Sequence, residues 1–121
     1  MNNSDLRERT KRFALEIVRF YIALPKTTES QVLGRQALRS GTSVGAHYRE
    51  AQRAKSDADF ISKIEGGLQE LEETGYWLEL LEDAAIAPPE KTAPLRREAN
   101  ELTAILVTVV KKAKHKPKST P

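Results

Sequence analysis

Apolar residues recur at helical spacing in four separate stretches of this chain, and strong stop or start signals fall between them. That pattern confines the chain to an all-α fold. The first stretch runs from Ser4 to Leu24, where Leu6, Phe13, Ile17, Tyr21 and Leu24 form one stripe and Phe20 widens it. Ser4 suits an N-cap, and Asp5 favours the positive end of the helix dipole. Pro25 ends the stretch, because the residue before a proline is pushed out of the α region.

The second stretch runs from Thr28 to Ala54. The step from Thr28 to Gln31 fits a capping box. Val32, Leu33, Gln36, Ala37, Ser40, Gly41, Val44, Tyr48 and Ala51 share its inner face. A glycine inside a helix costs about 1 kcal/mol relative to alanine, so Gly41 and Gly45, one turn apart, suggest a purpose. A side without side chains lets another helix come close. The alternative is a break near Gly41. The apolar period continues in phase through both glycines, which favours one continuous helix.

The third stretch, Ser56 to Asp83, opens on Ser56-Asp57-Ala58-Asp59, a cap with acids in the first turn. Ile61, Ile64, Leu68, Leu71, Gly75 and Leu78 give a heptad-like seam, flanked by Phe60 and Leu81. Gly66 and Gly67 mark a further close approach, expected against the glycines of the second helix. The fourth stretch starts at Pro89 or Glu90, or only at Pro94, and runs to Lys112. Leu95, Ala99, Leu102, Leu106 and Val109 line one face, and Ile105, Val107 and Val110 widen it. Four amphipathic helices of similar length with short connections predict an up-and-down antiparallel four-helix bundle over residues 1–112. Residues 113–121 are expected to be a disordered basic tail.

Charge is distributed unevenly. Residues 1–55 carry 11 Lys/Arg against 5 Asp/Glu, residues 56–110 carry 4 against 12, and residues 111–121 carry 5 lysines and no acid. The chain's formal net charge is +3. Such polarity can steer a protein toward a polyanion. Arg7, Arg9, Lys11, Arg12 and Arg19 cluster on the first helix, and Arg35, Arg39, Arg49, Arg53 and Lys55 extend along the second and into the hinge. Arg12 and Arg19 lie seven residues apart, and Arg35 and Arg39 four apart. Rows on adjacent helices would make a positive stripe suited to phosphate oxygens. The competing reading is a solvated face neutralised by the glutamates of the third helix.

Signals for catalysis are missing. There is no cysteine and there are two histidines, His47 and His115, neither of which follows a glutamate at the Glu-x-x-His spacing of a di-metal bundle. No P-loop, dinucleotide fingerprint or nucleophile elbow occurs. His47 reads as an interface residue, since acid–base work needs a second positioned group. Tyr76-Trp77 reads as the closure of a bundle end or the filling of an oligomer contact rather than a base-stacking platform. The expectation is a protein that is not an enzyme and has no metal, cofactor, membrane span or secretory signal, and whose place is the cytoplasm.

Residues 37–81 carry a further signal. A helix rich in small residues (Ser40, Gly41, Thr42, Ser43, Gly45, Ala46) leads into a basic hinge (Arg49, Arg53, Lys55), and a long acidic helix closes on Tyr76-Trp77-Leu78. In that order the chain, over roughly residues 5–112, resembles the small four-helix-bundle proteins related to the product of the intervening sequence in large-subunit ribosomal RNA genes. The accessory proteins of diversity-generating retroelements share that fold. The resemblance implies a ring-shaped homo-oligomer, commonly a pentamer. It also implies a basic surface that binds RNA or DNA and a reverse transcriptase, for which Arg12, Arg19, Arg35, Arg39, Arg49 and Arg53 are the positions to examine. A protein–protein adaptor that binds no nucleic acid is the alternative.

Overall fold

The computed structural model describes residues 3–115, which form four helices: α1 (Asn3–Ile22), α2 (Thr28–Gln52), α3 (Asp57–Asp83) and α4 (Pro89–Lys114). No strand occurs among the described residues. Each boundary has a local cause. α1 stops at Ile22, before the proline-restricted Leu24, whose N–H donates to the Tyr21 carbonyl at 3.1 Å. The cap of α2 is Thr27, one residue before the expected Thr28. Thr27 has extended backbone, and its hydroxyl accepts from the Ser30 N–H. Gln31 therefore forms no capping box and instead accepts a hydrogen bond from the Tyr21 hydroxyl at 2.8 Å. Ser56 caps α3 as expected, accepting from the Asp59 N–H at 3.0 Å.

α3 ends in a Schellman motif. The Ile86 N–H donates to the Leu81 carbonyl, and the Ala85 N–H to that of Glu82. Ala85 stands at the left-handed position with φ 59°, where glycine is usual. α4 begins at Pro89, so Pro94 lies within the helix instead of at its start. The helix continues to Lys114, two residues beyond the expected end. The rest of the expected tail, from 116 on, lies outside the described residues.

The helices run alternately up and down. α2 packs on both α1 and α3, and α3 on α4, while α1 and α4 meet sparsely and leave an open seam. A four-helix bundle is therefore the fold, with α1 diagonal to α3. Its main core joins Phe13, Ile17, Val44, Tyr48, Ile64, Leu71, Leu78, Leu102 and Leu106. A smaller cluster of Leu24, Ala37, Leu81 and Ala87 closes the end that holds the α1–α2 and α3–α4 turns, with Trp77 packed against it.

α2 is continuous through its glycines, and their partners correct one expectation. A Cβ on Gly41 would sit 2.8 Å from Ile17 Cγ1, and one on Gly45 would sit 3.3 Å from Thr10 Oγ1, so both face α1. Gly66 and Gly67 of α3 instead face α2 at His47, the first against its ring and the second near its Cβ. The two glycine pairs therefore do not face each other. One turn of α2 separates residues by about 40° per four positions, enough to direct neighbouring stripes at different helices. Three further positions differ from expectation. Val32, expected inside, is 53% exposed. Gly75 of the expected α3 seam has open space where its Cβ would be, and Thr74 takes that buried place. In α4, the last buried position is Val110 rather than Val109.

Candidate nucleic-acid interface

The structure separates the six arginines into three environments. Arg39 lies on the α3 side of α2. Its guanidinium donates to Glu73 at 2.7 Å and approaches Glu70 at 3.4 Å. The hydrogen bond to Glu73 raises the already high Arg39 pKa, and the same bond holds the Glu73 carboxylate below its ordinary value. The Trp77 indole lies near enough to support the Glu73 charge, though its N–H stops short of hydrogen-bond geometry. For Arg39, neutralisation by the acidic third helix is the correct reading.

Arg12 and Arg19 lie on the α4 side of α1, along the open seam. Arg12 shares a depression with Asp5, Glu8, Glu16 and Glu98, and Arg19 shares one with Glu16, Glu90 and Lys91. Both are exposed, but in surroundings of mixed sign. The seam is clamped by a two-pronged pair in which Arg9 Nε and one terminal nitrogen each donate to Glu98 at 2.7 Å. That bond keeps the Arg9 pKa raised. Such fork-to-fork geometry adds direction as well as attraction.

Arg35 and Arg49 share the outward face of α2, and Arg53 is its C-cap. Arg53 stands 18 residues from Arg35, which is five full helical turns and about 27 Å of rise. Arg49 is on the same side, 14 residues from Arg35. Across the α1–α2 groove stands Lys11. Lys11 and Arg49 flank a shallow depression of about 320 Å³ whose floor includes Ala14, Thr42, Gly45 and Ala46. Among the described residues, Lys11, Arg35, Arg49 and Arg53 make no ion pair. Arg7, beside them, donates to the Gln52 side chain at 3.2 Å. The expected stripe thus exists in narrower form: it loses Arg12, Arg19 and Arg39 and gains Lys11. Lys11 belongs to the basic cluster of the first helix, and the glycine contacts settle that it, rather than Arg12, stands on the α2 side.

The acids of α3 are largely engaged with cations on neighbouring helices: Glu65 with Lys114 at 3.4 Å, Glu79 and Glu82 with Arg96 at 3.9 and 3.8 Å, Glu73 with Arg39. They are therefore not neutralising the α1–α2 face, which lies across the bundle from α3's outer surface. Tyr76 is 55% exposed, edge-on to Trp77 with ring centres 5.1 Å apart, and sits beside Gln69, Glu72 and Glu73. Trp77 packs against the cluster that closes the bundle end, and Tyr76 stands outward from it. His47 lies over Gly66, with Nδ1 buried and without a hydrogen bond among the described residues. No group of three or more potential metal ligands occurs among those residues. No helix among them is long and apolar enough to cross a membrane.

The arrangement is that of a helical bundle with one open cationic face. The chain belongs to the 23S rRNA-intervening sequence protein family, whose profile matches residues 2–108. Among solved structures it is similar to a protein of unknown function from the S23 ribosomal protein family of Bacteroides thetaiotaomicron. Identity is 37%, the TM-score is 0.86, and the match covers 92% of this chain and 99% of the other. No curated protein matches.

Proposed function

We propose that this protein is a non-enzymatic, cytoplasmic, oligomeric bundle that binds structured RNA or DNA through the outward face of α1 and α2. The observation that carries this reading is Lys11 and Arg49, without ion pairs among the described residues, flanking a groove floored by small residues, with Arg35 and Arg53 exposed further along the chain on either side of Arg49. Unpaired cations at a surface attract phosphates by releasing counterions, without any requirement for base contacts. The family's name, which refers to 23S rRNA, supports RNA as the natural partner. A ribonucleoprotein partner such as a reverse transcriptase would engage the same face.

Self-association is part of the proposal, as a ring and most simply a pentamer, after the family resemblance. The support is apolar surface left open on α1, where Leu15 is 41% and Ile22 63% exposed; both lie on the Lys11 side of the helix, so a subunit contact there would border the cationic face. On α4, Ile105 and Val109 are partly buried against the protomer's own core, while Val107 is half-exposed outside it. The glycines serve contacts within the protomer.

The test is binding of a structured ribosomal RNA fragment by the full chain and two variants. The Lys11→Ala/Arg49→Ala double variant is expected to bind much more weakly, and Arg39→Ala to bind nearly as the parent does. Equal loss in both would contradict a face-specific site. No binding by the parent at low salt would favour the adaptor role, in which this face docks a protein.

A further inference from the structure

We infer that the cationic face reads the phosphate backbone of a duplex and not the bases of a single strand. This rests on the nucleic-acid reading above and goes beyond it by fixing the class of ligand. The argument begins with what the face lacks. Sequence-tolerant binding of single strands combines a cationic track with aromatic rings on which bases stack. Here the two are separated. The cations lie on α1 and α2, while the exposed aromatic ring among the large apolar side chains, Tyr76, lies on α3 beside Glu72 and Glu73. Phe13 and Tyr48 are buried, and Phe20, Tyr21, Phe60 and Trp77 are partly buried against the two core clusters. A strand stacked on Tyr76 would lie among carboxylates, and a strand on the cations would meet only half-buried rings, Tyr21 packed against Gly34 and Phe60 packed against the core.

What the face offers is shaped for a duplex. Two packed helices with side chains present a front about 20 Å across, wider than the roughly 12 Å major groove of B-DNA. The major groove of A-form RNA is narrower still and closed to side chains. The face therefore cannot enter a groove and must lie across the backbones that border it. Its length suits this: Arg35 to Arg53 spans about 27 Å, the axial length of about eight base pairs. Ala14, Thr42, Gly45 and Ala46 keep the floor between Lys11 and Arg49 low, so that a phosphate chain can settle between the two helices. A duplex also presents about twice the charge per unit length of a single strand. The recognition is thus of charge and shape, indifferent to sequence.

The experiment titrates the full chain against an RNA duplex longer than α2, a DNA duplex of the same sequence, and an oligouridine with the same number of nucleotides. Binding is read by fluorescence anisotropy at matched salt. The expected result is at least about tenfold tighter binding to a duplex, since only charge density distinguishes the ligands at a face without stacking. Permuting the duplex sequence should leave affinity unchanged. The RNA and DNA arms report which duplex geometry fits the face better. A Tyr76→Ala variant should bind the duplex as the parent does. Tighter binding of oligouridine, or loss of binding in Tyr76→Ala, overturns the inference while leaving a nucleic-acid function standing. Failure to bind any of the three ligands would instead remove the function on which it rests.

Discussion

Thr74 Oγ1 donates a hydrogen bond to Ser40 Oγ at 2.7 Å, joining α3 to α2 where both side chains are fully buried. The Ser40 hydroxyl in turn donates to the Gln36 carbonyl at 2.9 Å, so the pair is satisfied within the helices. Buried polar pairs of this kind cost little when complete and much when halved. Each hydroxyl also has a carbonyl one turn back on its own helix, Gln36 for Ser40 and Glu70 for Thr74 at 2.7 Å, so what the pair adds is the bond between the two helices. Replacing Thr74 with valine should therefore lower stability by about 1 kcal/mol. The double variant Ser40→Ala/Thr74→Val should lose less than the two single variants together. Urea denaturation of the four proteins measures the coupling, and strict additivity would contradict the pairing.

Two glycines should respond in opposite directions to alanine. At Gly41 the new methyl would lie 2.8 Å from Ile17 Cγ1 and 3.0 Å from Cγ2, on a fully buried, β-branched side chain that cannot swing aside. Gly41→Ala should cost about 1–3 kcal/mol through overpacking. At Gly75 there is nothing within 4 Å, so Gly75→Ala should gain up to about 1 kcal/mol from helix propensity. Thermal unfolding of both variants checks the contrast, and a stabilising Gly41→Ala would refute the close approach of α1 to α2.

Ala85 occupies the left-handed position of the α3 C-terminal motif, with φ 59°. An L-residue pays a steric cost there that glycine avoids, partly offset by glycine's greater freedom in the unfolded chain. Ala85→Gly should stabilise the protein by about 0.5–1 kcal/mol. An unchanged unfolding midpoint would show that the turn relaxes around alanine without strain.

Tyr48, buried between α2 and the core, has its phenol pKa pushed up by desolvation. Below the ordinary tyrosine value the ring is neutral in both states, and it contributes no pH dependence. Above that value the unfolded chain ionises first, so stability should fall as pH rises past about 10. Tyr48→Phe should flatten this alkaline limb in denaturation measured across pH. An identical slope in parent and variant would assign the loss to other groups.

Much of the fold was readable from local signals. The apolar period, Ser56 with its acids, and Pro25 act within a few residues of themselves, so helix existence and most boundaries follow from sequence. The Thr27 cap and the Ala85 turn were missed because neighbouring threonines look alike and alanine carries no left-handed signature. The site was less legible. Arg35 and Arg39 are about 40° apart around α2, and that rotation places one on the open face and the other against Glu73. Which helices neighbour α2, and on which side, is a tertiary fact. It decides whether an arginine is neutralised, and it brings Lys11 of α1 beside Arg49 of α2.

The central claim is that Lys11, Arg35, Arg49 and Arg53 act together on phosphates, and its most direct test is the salt dependence of duplex binding. Removing one phosphate contact should reduce the slope of log affinity against log salt by about 1. The account predicts that reduction for each of Arg35→Ala, Arg49→Ala and Arg53→Ala, and none for Arg39→Ala, whose partner is Glu73. Equal slopes in all four variants, or a reduction in Arg39→Ala alone, would contradict it.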